Sequence, residues 1–187
     1  MAKVGDNMVT TGLSGKLGNL LVFRNRNGKT YVAKAPRERT GEPSEAQKQH
    51  QAKFQQAIIY GRGAIADPAT KAAYQASAEG GQTAFNVAVA DFFNAPHIDE
   101  VDVSNYTGQP GSFIRIRAVD DFNIAEVTVT IQNGDSSEVE SGAAQPEDGM
   151  IWWRYTATAN NESLEGDKII IRVSDVPGNI TEEEKGL

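Results

Sequence analysis

Phe92-Phe93-Asn94-Ala95-Pro96 is the stretch on which the reading of this chain turns. A helical spacing of apolar residues runs up to the two aromatics, Asn94 suits a helix C-cap, and Pro96 cannot continue a helix. From His97 onward the hydrophobic period drops from helical to two and holds almost to the C-terminus. The chain therefore reads as an α+β protein of two domains. Residues 1–95 form a β-hairpin plus three helices, and residues 96–187 are all-β.

Beyond the seam, short strands are expected at 98–103, 113–118, 124–131, 138–143, 151–159, 168–173 and near 179–182. Turn signals separate them, among them Asn133-Gly134-Asp135, Gln145-Pro146-Glu147-Asp148-Gly149 and Pro177-Gly178-Asn179. About seven short strands at this spacing make the pattern of a β-sandwich. Alternation sends Trp152 and Trp153 to opposite faces, so one can be core while its neighbour is exposed or in contact with another surface.

Before the seam, Ser44 is an N-cap with Gln47 three residues on, the signature of a capping box. That first helix is expected to weaken at Gly61 and Gly63. A second opens on Asp67 and Pro68 and stops at Gly80-Gly81; a third runs over about 83–93. Ahead of them, arms over 19–24 and 29–34 flank Asn27-Gly28, a strong hairpin signal.

The hairpin region is basic. Lys16, Arg24, Arg26, Lys29, Lys34, Arg37 and Arg39 face a single acid, Glu38. Such a ribbon can lie against phosphates or against an acidic protein surface; equally, its charges can guard strand edges from aggregation. Gly15-Lys16 superficially suggests a phosphate loop. However, Leu17 stands where Ser or Thr is needed, and a strand follows instead of a helix.

The net charge of −7 divides unevenly: residues before Pro96 carry +5 and the rest −12. The halves are expected to attract each other or to face different partners. With no cysteine, disulfides, thiolate metal sites and cysteine nucleophiles are excluded. No stretch approaches the ~20 apolar residues of a membrane span. The N-terminal residues lack the apolar run of a secretory signal, so cytoplasmic synthesis is expected.

Two segments carry resemblances. Arg117-Ala118-Val119-Asp120-Asp121-Phe122-Asn123-Ile124-Ala125-Glu126-Val127 resembles the B–C corner of bacterial immunoglobulin-like repeats. Ser174-Asp175-Val176-Pro177-Gly178-Asn179 resembles their closing segment, with Trp152-Trp153-Arg154-Tyr155 between as an aromatic strand. The resemblance covers about 97–182 and implies an immunoglobulin-like sandwich; it says little of function. The N-terminal Gly15-Lys16-Leu17-Gly18-Asn19-Leu20 and the Arg-Asn-Gly-Lys hairpin resemble small uncharacterised bacterial proteins. Some of this layout look like cargo of phage-tail-like contractile injection systems. That implies release by a phage-like particle.

No catalytic constellation stands out: Ser14, Ser104 and Ser112 have no histidine that the sequence places beside them. The expectation is a non-enzymatic interaction protein without cofactor, acting as cargo, effector or structural accessory of such a system through a protein partner. The alternatives are nucleic-acid binding by the basic hairpin, or carbohydrate or surface binding by Trp152, Trp153 and Tyr155. Asp120, Asp121 and Asp175 are calcium candidates on two loops that the implied topology brings to one end; alternatively they are turn formers.

Overall fold

The computed structural model describes residues 2–4, 8–26, 28–37, 41–149 and 151–187, with side chains from residue 8 onward. Asn27 and the expected basic residue Arg39 lie outside them. The described residues form three helices and twelve strands in three antiparallel sheets. The chain divides into two compact units, Met1–Gln51 and Ala52–Leu187.

The first unit holds β1 (Ala2–Val4), β2 (Gly15–Leu17), β3 (Leu21–Arg26) and β4 (Lys29–Lys34), in the order β1-β4-β3-β2. The β3–β4 hairpin pairs Arg26 with Lys29 and Leu21 with Lys34. Its first arm starts two residues later than the sequence suggests. The glycine-rich stretch read as turns contributes β2, which pairs Lys16 with Val22. Thr30 is buried because the preceding loop closes over it. Gly12 donates its amide to Thr30 Oγ1 at 3.1 Å, and Thr30 donates to Asn25 Oδ1 at 2.8 Å.

Helix α1 (Glu45–Ala66) begins in the first unit with the expected capping box. The Ser44 amide donates to Gln47 Oε1 at 3.0 Å, and the Gln47 amide to Ser44 Oγ at 3.3 Å. It continues in the second unit past Gly61 and Gly63. A Cβ at Gly61 would lie 2.9 Å from Val89 Cγ2 and 3.1 Å from the Phe85 ring. Gly61 therefore lets α1 approach α3 (Ala84–Asp91), and this packing offsets the helix-weakening that glycine brings. Between them, α2 (Pro68–Ala76) starts on Asp67, whose side chain accepts from the Thr70 amide, as its sequence signature predicts.

The remaining strands follow in order: β5 (His97–Asp102), β6 (Phe113–Val119), β7 (Ile124–Gln132), β8 (Glu138–Ala143), β9 (Gln145–Pro146), β10 (Trp152–Thr156), β11 (Lys168–Asp175) and β12 (Ile180–Gly186). One sheet has the order β5-β6-β10-β9 and the other β12-β11-β7-β8. Both sheets supply one core. Ile114, Ile116, Val127, Val129, Ile131, Ile169, Ile171 and Val173 are fully buried, joined by Trp153 and Tyr155. Fully burying an aliphatic side chain of this size contributes about 1.5–3 kcal/mol, so this cluster dominates the unit's stability. The seven expected strands all occur, with no end moved by more than four residues. The eighth, β9, falls in a stretch read as turn, where Gln145 and Pro146 pair with Arg154 and Trp153.

The two ends of this β-structure are closed differently. At one end, Asn161 donates to Asp167 Oδ2 at 2.7 Å, and the Gly134 amide donates to Asp167 Oδ1 at 3.1 Å. At the other, the rings of Tyr74 on α2 and Phe122 stack at 4.0 Å between centroids. The helices α2 and α3 thus pack on the β-structure across Pro96. The sequence instead groups them with the hairpin in a domain ending at residue 95. No helix among the described residues is long and apolar enough to cross a membrane.

Candidate functional site

In the first unit, strand alternation and register sort the basic residues by face. Lys16, opposite Val22, shares a face with Arg24, Arg26, Lys29 and Tyr31, since Arg24 pairs with Tyr31 and Arg26 with Lys29. Lys34 lies on the opposite face, and Arg37 follows the last strand, exposed. Lys16, Arg24, Arg26 and Lys29 are all exposed, and among the described residues none of the four forms an ion pair. The opposite face carries Leu17 at 59 % exposure and Leu21, beside half-buried Phe23 and Val32. Only Thr30 and Ala35 are buried among this unit's described residues.

The aromatic trio is not brought together on a surface. Trp153 and Tyr155 face inward and belong to the core, because they alternate with Trp152 and Arg154 on β10. Only Trp152 faces outward, and the Arg115 guanidinium lies over its ring at 4.6 Å. Arg115 and Arg154 stand directly opposite each other, and Glu147 accepts from both, at 2.6 Å and 2.7 Å. Those two guanidinium groups hold the Glu147 carboxyl below the usual carboxylate range. The surface-binding reading loses two of its three rings to burial.

The calcium candidates divide likewise. Asp120 follows β6, and Asp175 ends β11 at a register shift. Both reach the end of the β-structure covered by the helices. Asp121 is turned away: its Oδ2 accepts from Asn94 Nδ2. The third carboxylate of the group is Asp91, at the C-terminus of α3, and each of the three has an oxygen within 4.8 Å of the others.

Asp91 is 2 % exposed and Asp175 3 %. Tyr74 donates to Asp91 Oδ2 at 2.6 Å, so its single proton is used. Tyr60, whose hydroxyl lies 2.7 Å away, must therefore be the donor to Tyr74. Burial pushes the Asp91 carboxyl up to about 6. Tyr74's hydrogen bond works against this, while the charges of Asp120, Asp175 and Asp121 add to it. Asp91 also sits at the negative end of its helix. Burial likewise raises Asp120, with the Asp175 charge acting in the same direction. Asp175 is held by the amides of Gly178 at 2.8 Å and Asn179 at 2.6 Å, and by Asn179 Nδ2 at 2.7 Å.

Asn179 binds both sides of the seam. Besides Asp175, its Nδ2 donates to the carbonyls of Asn94 at 3.0 Å and of Asp91 and Phe92 at 3.4 Å. The sequence places Asn179 at a turn and the start of the last strand, with no bridging role, and gives no role to Asp91. The available signal was a lone carboxylate, Asp91, in an otherwise apolar helix end, Val89-Ala90-Asp91-Phe92-Phe93.

A groove of about 360 Å³ beside this group is lined by Asp120, Phe122, Asn123, Pro146, Ile151 and Trp153, and among the described residues the buried Trp153 indole N–H has no partner.

No family model matches the chain, and no curated protein matches it. Among solved structures, the crystal structure of an engineered protein is similar at 16 % identity, with a TM-score of 0.35. The likeness covers 58 % of this chain and 30 % of the engineered one, and at that score it assigns neither fold nor role.

Proposed function

We propose that this chain is a non-enzymatic interaction protein that binds an acidic protein surface through one face of its N-terminal sheet. The observation that carries the reading is the placement of Lys16, Arg24, Arg26 and Lys29 together on one exposed face, with no described ion pair to neutralise them. The opposite face leaves Leu17 and Leu21 exposed. A sheet that buries so little of its own surface fits a part completed by a partner.

An acidic protein suits the basic face better than a nucleic acid does. Platforms for single strands stack bases on several exposed rings, whereas this face offers one, the half-buried Tyr31. A phage-like injection particle as the source of that surface rests on the layout resemblance alone.

We further propose an immunoglobulin-like topology for the two-sheet body. What supports it is the strand order. Taking β5, β6, β10 and β9 as A, B, E and D, and β12, β11, β7 and β8 as G, F, C and C′, both sheets follow the immunoglobulin arrangement.

The test is capture from native lysate by the whole chain and by the quadruple variant Lys16→Glu, Arg24→Glu, Arg26→Glu, Lys29→Glu. Nuclease-resistant protein captured by the first and lost from the second supports the reading. Capture that survives charge reversal, or that nuclease abolishes, overturns it; the latter favours nucleic-acid binding.

A further inference from the structure

Asp91, Asp120 and Asp175 come from a helix end, the residue after β6 and the last residue of β11, yet each places a carboxylate oxygen within 4.8 Å of the other two. Among the described residues no Lys, Arg or His pairs with any of them. The donors that do reach the group are already spent. Tyr74 serves Asp91 Oδ2, the Phe122 amide serves Asp120 Oδ2 at 3.0 Å, and Gly178 and Asn179 serve Asp175. Two oxygens remain: Asp91 Oδ1 and Asp120 Oδ1 are buried and have no hydrogen-bond partner among the described residues.

Ionised carboxylate oxygens only accept, so a buried orphan pair in an acidic group calls for a proton or a cation to be placed there. Asp91, with 2 % of its surface exposed, lies out of reach of bulk water.

We propose that Asp91, Asp120 and Asp175 form a calcium site that ties the end of α3 to the β6–β7 and β11–β12 turns. The donor set is all oxygen, with neither the nitrogen nor the sulfur that zinc and copper prefer. Calcium binds oxygen at about 2.3–2.6 Å, so ligands across it stand about 4.6–5.2 Å apart. The three oxygens, all within 4.8 Å of one another, are close enough to share one such ion. Magnesium demands a tighter, near-ideal octahedron at about 2.0–2.1 Å, whereas calcium tolerates irregular oxygen cages of the kind three carboxylates from separate elements would make.

The experiment uses the full chain stripped with EDTA and titrated with CaCl₂ or MgCl₂ at pH 7.5. Thermal unfolding is followed, together with terbium luminescence sensitised by Tyr74, whose hydroxyl contacts Asp91. The Asp120→Asn variant keeps an acceptor for the Phe122 amide but removes a ligand charge. Asp121→Asn is the control, since Asp121 lies outside the group. At a hundredfold excess over the dissociation constant, calcium should raise Tm by about 5–10 °C. It should also displace terbium. The Tm shift should be lost in Asp120→Asn and kept in Asp121→Asn, with magnesium having a smaller effect. No calcium-dependent shift in the unmodified chain, an equal shift in Asp120→Asn, or terbium luminescence that calcium leaves unchanged overturns the proposal.

Discussion

Tyr74 donates its hydroxyl proton to Asp91 Oδ2 at 2.6 Å, inside a pocket where both side chains are almost wholly excluded from water. The contact steadies the carboxylate, but burial and the neighbouring Asp120 and Asp175 outweigh it, so Asp91 keeps its proton to about pH 6. An unfolded aspartate releases its proton near 3.9.

Between those values the folded state holds more protons than the unfolded one, and stability falls as pH rises. In calcium-free buffer, stability should therefore drop from about pH 4 to about pH 6 and level off above, by up to about 3 kcal/mol from Asp91. Asp120, shifted the same way, adds to the slope. Asp91→Asn, which still offers Tyr74 an acceptor, should flatten the profile. Urea unfolding at pH 4, 5, 6 and 7 measures this, and an unchanged slope in the variant contradicts it.

Asn179→Ala should destabilise the second unit by about 1–3 kcal/mol. The amide it removes serves the Asp175 carboxylate and the Asn94 carbonyl, leaving acceptors unpaired at the seam. Chemical denaturation reads this directly. A change within about 0.5 kcal/mol, the range of ordinary surface substitutions, contradicts the seam's dependence on that side chain.

Gly61 and Gly63, two residues apart on α1, should respond oppositely to alanine. At Gly63 nothing lies within 4 Å of an added Cβ, so Gly63→Ala should stabilise by up to about 1 kcal/mol through helix propensity alone. At Gly61 the Cβ would sit 2.9 Å from Val89 Cγ2. Overpacking of about 1–3 kcal/mol should then outweigh the same gain. Equal stabilisation of both variants contradicts the close α1–α3 approach.

Local features were legible in the sequence wherever neighbours along the chain decide the structure. The Ser44–Gln47 and Asp67–Thr70 caps form as their spacing predicts, and the alternation in Phe113-Ile114-Arg115-Ile116-Arg117 places Ile114 and Ile116 in the core. What escaped depends on residues far apart in the chain. Gly61 looks like a helix breaker until Val89 and Phe85 are beside it. Gln145-Pro146 looks like a turn until Trp153 and Arg154 give it a partner strand. Pro96 does mark a change of period, yet Asn179 and Phe122 draw α2 and α3 onto the β-structure across it. Asp120 and Asp175 lie together, and the carboxylate beside them is Asp91, far away in the sequence, where the sequence offered the adjacent Asp121.

The claim that the N-terminal sheet binds acidic protein through Lys16, Arg24, Arg26 and Lys29 is tested most directly by affinity. The whole chain is titrated with an acidic polypeptide such as polyglutamate, at low and at physiological salt. The quadruple glutamate variant is measured alongside, its folding checked by circular dichroism. The account predicts binding that weakens with salt and a loss of about tenfold or more on charge reversal, equivalent to about 1.4 kcal/mol or more. Affinity unchanged by reversing those four charges, in a folded variant, contradicts it.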